Sequence, residues 1–155
     1  MDTEVDRARW RFTANYRFHA RLQAGVEFNA AVSEVNPLVT AFIMTETEMR
    51  PALFLGTSSD RIGSPEGDQA YYATAGKYLP WFRSSVNVTL NYSEWDEGLN
   101  VPFGAGTEIG WGFVARYMYD GNRSHALLDY FAGQVGISFL YVWLERPGLA
   151  LHVGF

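Results

Sequence analysis

The sequence predicts an all-β fold in which antiparallel strands follow one another in up-and-down order. Three observations support this prediction. Apolar and polar residues alternate, the alternating segments are mostly seven to eleven residues long, and short connections alternate with long ones along the chain. A period of two places successive side chains on opposite faces of a strand. The segments exceed the ~5–6 residues usual in soluble sheets and approach the ~9–11 that cross a bilayer at a tilt.

The alternation is most regular near the two ends of the chain and in its middle. From Arg9 to His19, aromatic residues and alanine occupy one parity, and arginine, threonine, asparagine and histidine occupy the other. The segments 21–30, 85–93 and 148–155 repeat the pattern. The others are rich in Tyr, Phe, Val and Thr and are bounded by turn-forming residues. Eleven strands are predicted, at Arg9–His19, Leu22–Ala30, Leu38–Thr47, Ala52–Ser58, Ala70–Leu79, Ser85–Ser93, Val101–Ile109, Trp111–Tyr119, His125–Ala132, Gln134–Leu144 and Gly148–Phe155.

The connections alternate in length. The tight ones are predicted at His19–Ala20, Glu48–Arg50, Pro80–Phe82, Gly110 and Gly133, and the longer, polar ones at Ser33–Asn36, Ser59–Gln69, Glu94–Asn100, Asp120–Ser124 and Glu145–Pro147. An up-and-down barrel in an outer membrane has this asymmetry, because its turns are short on the periplasmic side and its loops are long outside. The sequence therefore predicts a transmembrane β-barrel of 10–12 strands.

The two faces of the strands differ in composition. On the regular strands one parity holds only Ala, Val, Leu, Ile, Phe, Tyr or Trp, and the other holds charged and small polar residues. A cation facing lipid at the bilayer midplane costs ~2–4 kcal/mol, so we expect the charged parity to face the interior of the barrel. Arginine–carboxylate pairs across the lumen would then satisfy these charges. The predicted lumen-lining residues are Arg9, Arg11, Arg17, Glu27, Glu46, Glu48, Lys77, Glu108, Arg116 and Asp129.

Composition argues against several classes of protein. The 155 residues carry 12 Lys and Arg against 17 Asp and Glu, which gives a net charge of −5 and argues against a nucleic-acid partner. The chain has no cysteine and three histidines, so we expect no metal and no cofactor. The repeated glycines in Gly104-Ala-Gly-Thr-Glu-Ile-Gly110 lie within a predicted strand rather than before a helix, and we expect them to ease a tight inward face.

The end of the chain resembles the C-terminal strand of bacterial outer-membrane β-barrels. The segment Gly148-Leu-Ala-Leu-His-Val-Gly-Phe155 alternates apolar residues and closes on phenylalanine. The stretch from Gly56-Thr-Ser-Ser-Asp-Arg-Ile-Gly63 to Gln69-Ala-Tyr-Tyr-Ala-Thr74 is similar to uncharacterised outer-membrane proteins of Gram-negative bacteria. This resemblance implies an outer-membrane location, contact with the lipid bilayer and lipopolysaccharide, and recognition by the barrel-assembly machinery through Phe155.

We expect one domain, 1–155. Single-chain bacterial barrels have an even strand count with both termini in the periplasm, and Met1-Asp-Thr-Glu-Val-Asp shows no secretion signal. The odd count therefore predicts a fragment or processed chain that lacks one strand of a twelve-stranded parent. The alternative is a barrel closed by ten strands.

The sequence favours a non-enzymatic role, as a passive small-solute channel or a structural surface protein of undetermined oligomeric state. Two further hypotheses stay open: a soluble, lipocalin-like barrel that binds an apolar ligand, and an outer-membrane lipid-modifying hydrolase. For the hydrolase, the best serine and histidine are Ser138 and His152, which we expect to be diagonal neighbours on adjacent strands at ~7–8 Å between Cα atoms.

Overall fold

A computed structural model describes residues 11–30, 33–60, 64–65 and 67–154. Within them lie twelve strands and one short 3₁₀ helix at Pro80–Phe82. The strands are β1 Arg11–His19, β2 Leu22–Asn29, β3 Glu34–Met44, β4 Ala52–Ser59, β5 Gln69–Leu79, β6 Ser84–Ser93, β7 Gly98–Asn100, β8 Phe103–Gly110, β9 Phe113–Tyr119, β10 Ser124–Ala132, β11 Val135–Val142 and β12 Arg146–Val153.

The strands form an antiparallel sheet in up-and-down order, as the alternation predicts. Hydrogen-bonded neighbours follow the chain from β1 to β6 and from β8 to β12, β6 pairs with β8, and the short β7 pairs with β6 beside this path. Each of the eleven predicted strands overlaps one strand of this path. Among the described residues, no helix has the length and apolar character needed to cross a bilayer.

Three local predictions need correction. The connection predicted at Ser33–Asn36 is largely strand, because β3 begins at Glu34 and pairs with β2. The connection predicted at Glu94–Asn100 contains β7. The third strand ends at Met44 and not at Thr47, so Glu46 lies in the connection 45–51, where Glu48 is already predicted to lie. Ser33 lies in the turn with a φ of 55°, whereas at Asn36 pairing with β2 outweighs the local preference for a loop.

The chain folds as two compact units. Of the described residues, the first unit comprises those within 11–75 and 89–100, and the second those within 76–88 and 101–154. The first unit therefore holds β1 to β4, most of β5, the end of β6 and β7. The second holds the end of β5, the start of β6, and β8 to β12.

In the first unit the buried face of the strands is polar. Glu27, Asn29 and Asn36 are buried, whereas the apolar side chains that alternate with them are exposed, Val26 to 48%. Several polar-face contacts join strands that are not neighbours. Ser59 of β4 donates a hydrogen bond to Glu27 of β2, across β3. Strands two apart in a flat sheet are about 10 Å distant, so such contacts require this face to be concave.

In the second unit, too, polar side chains are buried and apolar side chains are exposed. Asp129, Ser138 and His125 are buried, while Phe139 and Leu151 are exposed to 58% and 70%. The hydroxyl of Tyr78 on β5 donates to Glu108 on β8, at 3.2 Å. That contact passes over β6 on the polar face. Across both units, Ala70 is the one buried hydrophobic residue among those that the structure describes.

Candidate functional site

The first unit pairs Arg11 with Glu27, two of the residues predicted to line a lumen. Arg11 Nε lies 3.3 Å from Glu27 Oε1, and the same carboxylate oxygen accepts a hydrogen bond from Ser59. The register places Thr13 opposite Glu27, so Arg11 reaches its partner diagonally from the neighbouring strand. The pair therefore joins adjacent strands and does not extend across a lumen.

Arg17, another predicted lumen residue, lies over an aromatic ring. Its guanidinium carbon is 4.2 Å from the centroid of Phe42 on β3. A guanidinium over a ring face is attracted by the ring quadrupole, by ~0.5–2 kcal/mol depending on its exposure to water. The contact passes over β2 and again marks the polar face as the concave one.

Glycine makes room for a long side chain on the same face. The hydroxyl of Tyr72 lies 3.1 Å from that of Thr40, two strands away. Between them is Gly56, where a Cβ atom would lie 2.5 Å from the Tyr72 hydroxyl oxygen. A larger residue at this position would block the contact.

The connections of the first unit are held by a buried aspartate. Asp60 Oδ2 accepts hydrogen bonds from the hydroxyl of Ser93, at 2.6 Å, and from the backbone N–H of Trp95, at 3.3 Å. Ser93 Oγ in turn accepts the backbone N–H of Asp96 at 3.1 Å. The alternation gave no signal for this network, because three of its four members lie in connections.

The second unit contains a charged network that spans four strands. Arg116 Nε on β9 donates to Asp129 Oδ2 on β10, and the hydroxyl of Ser138 on β11 donates to Asp129 Oδ1. His152 Nε2 on β12 lies 2.8 Å from Ser138 Oγ. Asp129 has no solvent-exposed surface. Four consecutive strands are therefore linked by one chain of charge-assisted hydrogen bonds.

The glycines of β8 allow this network to form. A Cβ atom at Gly106 would lie 3.0 Å from Arg116 Cγ and 3.2 Å from Ser85 Oγ. Gly106 pairs with Arg116 in the register of β8 and β9, so the arginine lies against the bare backbone. The segment is strand on both sides of Gly106, as its sequence context predicts.

The network does not have the geometry of a hydrolase. Ser138 and His152 are diagonal neighbours, as expected, but they are in contact rather than marginally apart. In a serine hydrolase the histidine accepts the serine proton and the aspartate orients the histidine. Here the hydroxyl of Ser138 donates its hydrogen bond to Asp129. In the contact between Ser138 and His152, Nε2–H of the histidine is therefore the donor and the serine oxygen the acceptor. Ser138 is also 2% exposed, which leaves a substrate no access to its oxygen.

The remaining predicted lumen residues are dispersed. Glu108 pairs with Arg83 at 3.2 Å, and both side chains are well exposed. Lys77 on β5 is half-buried. It does not share the parity of Thr74 and Tyr78, the β5 residues whose hydroxyl groups have partners on the polar face. Arg9 and Phe155 lie outside the described residues. In the part of the chain that is described, no group of three or more metal-ligating side chains could hold a metal ion.

Comparison of the chain with protein-family models, with curated proteins and with solved structures finds no match.

Proposed function

We propose that this chain is an integral outer-membrane β-barrel that acts as a structural surface protein, with an interior closed by cross-strand ion pairs. The proposal depends on one observation: the polar side chains of the strands are buried and the apolar ones are exposed. Side chains such as Phe12, Leu90 and Leu149 are more than half exposed, while the buried side chains are almost all polar. In water, the exposed apolar side chains would gain no stability from the hydrophobic effect. In hydrocarbon, apolar side chains on the outside and polar side chains on the inside are the stable arrangement.

The chemistry of strand edges supports the proposal that the strand path closes into a barrel. The path has β1 and β12 as its ends, and an open edge in hydrocarbon would leave a row of backbone N–H and C=O groups without partners. The concave polar face and the up-and-down order both favour closure. The resemblance of the segment 148–155 to C-terminal barrel strands supports the outer membrane of a Gram-negative bacterium as its location.

The buried ion pairs favour a closed interior over an open channel. The networks around Glu27 and Asp129 link strands on the polar face through carboxylates that are shielded from water. An open water-filled pore would instead leave such carboxylates hydrated. A small-solute channel is therefore the second candidate, and its conductance distinguishes it.

A soluble ligand-binding barrel and a hydrolase both have less support. A soluble barrel that binds an apolar ligand requires apolar side chains on the concave face, where Asn36, Thr74 and Ser138 are buried instead. A lipid-modifying hydrolase requires an accessible serine with a free histidine base, which the network around Asp129 does not provide.

Membrane insertion is tested by folding the full chain from urea into micelles or vesicles. We expect the far-UV circular dichroism of a β-sheet, partition into the detergent phase, and an electrophoretic mobility that changes on boiling in SDS. A monodisperse, folded protein in buffer without detergent would contradict the proposal. Phe139→Ser, which removes one exposed apolar side chain, serves as a control that should leave all three readouts in place.

Conduction is tested on the same preparation in planar bilayers. The proposal predicts no discrete current steps from the wild-type chain. It also predicts that Asp129→Asn, which breaks the network but keeps the shape of the side chain, increases the leak. Regular current steps from the wild-type chain would instead establish the channel function.

A further inference from the structure

The buried histidine at the start of β10, His125, contacts two connections of the second unit. Its Nε2 lies 2.9 Å from Oδ2 of Asp120, and its Nδ1 accepts the backbone N–H of Trp143 at 3.4 Å. Only a neutral ring accepts a hydrogen bond at Nδ1, so the ring proton lies on Nε2, toward the carboxylate. One histidine therefore links the connections 120–123 and 143–145 through its two ring nitrogens.

The connection held by Nδ1 has an unfavourable backbone. Residues 142–145, which we call the tryptophan turn, are closed by a hydrogen bond from the last backbone N–H to the first carbonyl, at 3.1 Å. The two central residues, Trp143 and Leu144, have φ values of 57° and 55°. This left-handed conformation suits glycine and asparagine, and it strains large side chains. The turn therefore depends on contacts outside itself, and the hydrogen bond to His125 is one of them.

The connection 120–123 is held by its own hydrogen bonds. Oδ1 of Asp120 accepts two backbone N–H groups of this connection, at 2.8 and 2.7 Å, and the backbone N–H of Asp120 donates to the carbonyl of Arg123 at 3.0 Å. The hydroxyl of Tyr119 donates to the carbonyl of Gly121, also at 3.0 Å. None of these four bonds involves the histidine. If a contact to the histidine is lost, the tryptophan turn is therefore the part that moves.

The charged side chains of the elements packed against the histidine lie on β9, β10, β12 and the two connections. They are Asp120, Arg123, Glu145 and Arg146, together with Arg116 and Asp129, which pair with each other further along β9 and β10. Asp120 is the carboxylate that contacts the ring. Nε2 carries a proton in both charge states of an imidazole, so this contact persists when the ring is protonated. Protonation therefore changes the hydrogen bonding of Nδ1 alone.

We propose that protonation of His125 releases the tryptophan turn. Imidazole is the side chain that ordinarily changes charge between about pH 5 and 8. The added proton makes Nδ1 a donor that points at the backbone N–H of Trp143, itself a donor, so the hydrogen bond between them is lost. The contact of Nε2 with Asp120 becomes an ion pair at the same time. This acid-sensitive device goes beyond the proposed function, does not depend on it, and concerns only the second unit.

The first test follows the tryptophan emission of the full chain, folded in micelles, between about pH 8 and 5. The guanidinium carbons of Arg123 and Arg146 lie 4.5 and 5.4 Å from the centroid of the Trp143 ring, so a moved turn changes the surroundings of the indole. We expect a reversible shift of the emission maximum with an unchanged far-UV circular dichroism spectrum. Trp143→Phe should abolish the shift, while Trp111→Phe, at an exposed turn, should not. A shift that persists in Trp143→Phe overturns the proposal.

Two substitutions separate the roles of the two ring nitrogens. His125→Asn keeps an acceptor near the position of Nδ1 and does not titrate, so its emission should equal that of the neutral wild type at both pH values. His125→Gln keeps an amide near the position of Nε2 and has no acceptor at Nδ1, so its emission should equal that of the acidified wild type throughout. A pH response like that of the wild type in either variant overturns the proposal.

The matched control is His19→Asn. Nδ1 of His19 also accepts a backbone N–H, that of Arg21, at 3.1 Å, but this exposed histidine belongs to the first unit. The variant should respond to pH as the wild type does. Loss of the response in His19→Asn would place its origin in the first unit and contradict the proposal.

A measurement on the wild-type chain covers the case in which the His125 variants do not fold. By NMR in micelles, the backbone amide of Trp143 should exchange with solvent at least about tenfold faster once the ring is charged, after correction for the intrinsic effect of pH, because it has lost its acceptor. The midpoint of this change should equal the midpoint at which the ring nitrogens of His125 titrate. Equal protection across the pH range, or a different midpoint, overturns the proposal.

Discussion

At the scale of single residues, the chain contains two arginine–carboxylate pairs of opposite character in one unit. Arg116 and Asp129 form a pair in which the carboxylate has no exposed surface, whereas the side chains of Arg83 and Glu108 are 61% and 44% exposed. Burial raises the electrostatic cost of an unpaired charge, because water no longer solvates it. The two pairs therefore provide a test and its control within the same chain.

Neutralising the buried carboxylate should destabilise the protein strongly. Asp129→Asn weakens the charge-assisted hydrogen bonds from Arg116, whose side chain is 38% exposed, and from Ser138, and we expect a loss of about 1.5–3 kcal/mol in the free energy of unfolding. Glu108→Gln, at the exposed pair, should lose less than about 1 kcal/mol. Urea titrations of both variants in micelles measure the difference. Equal losses would show that the Asp129 network is no more important to stability than a surface pair.

The close contact of Gly106 with Arg116 leads to a second residue-scale prediction. A Cβ atom would lie 3.0 Å from Arg116 Cγ at Gly106, but 3.8 Å from the nearest atom at Gly76. Gly106→Ala should displace the arginine and cost about 1 kcal/mol. Gly76→Ala should be neutral or stabilise by up to ~1 kcal/mol, because alanine restricts the unfolded chain. The midpoints of urea unfolding give the comparison, and a stabilised Gly106→Ala would show that Arg116 is free to move.

At the scale of elements, the sequence located strands well and their partners less well. Alternation alone places β1, β2 and β6 to within about two residues, because a period of two is a local property of the chain. It missed β7, whose three residues are too few to alternate, and the start of β3, where Asn36 and Pro37 suggest a turn but pair with β2. Such exceptions depend on pairing with the neighbouring strand, and a local sequence pattern holds no information about that pairing.

The candidate site was predictable only in part, for the same reason. The sequence identified Arg116, Asp129, Glu27 and Arg11 as residues of one face, and it predicted that arginines would pair with carboxylates. It expected the pairing across a lumen, whereas these pairs join adjacent strands. Register decides which residues are diagonal neighbours, and it is set by turns whose geometry alternation does not specify.

The apolar face of β12 allows lipid contact to be tested along one strand. Leu149, Leu151 and Val153 are all exposed to more than 60% and share one parity. If hydrocarbon covers them, Leu149→Arg and Leu151→Arg should each lose ~2–4 kcal/mol, and Val153→Arg near the strand end only ~0–1 kcal/mol. In water all three would be nearly neutral. Unfolding free energies in vesicles decide between these outcomes, and a flat profile along the strand would contradict lipid contact.

At the scale of the whole molecule, strand length bears on the proposal that the chain spans an outer membrane. Leaving aside β7, the strands have seven to eleven residues. At 3.3 Å per residue and a tilt of about 40°, nine residues span about 23 Å, close to the ~25 Å apolar band of outer-membrane barrels. The polar-face networks then lie at the depth where backbone and side chains most need internal partners. Strand length and side-chain polarity thus both support the proposal that the strands span a thin bilayer.

This agreement predicts how folding depends on bilayer thickness. The full chain, diluted from urea, should fold in high yield into vesicles of lipids with short acyl chains, and the yield should fall as the hydrocarbon core thickens, because mismatch costs a fraction of a kcal/mol per Å. The mobility shift on boiling in SDS measures the folded fraction in each lipid. Leu151→Arg, folded in parallel, should lower the yield at every thickness without changing the trend. A yield that rises with thickness, or that is equal in all lipids, would mean that these strands do not span the bilayer.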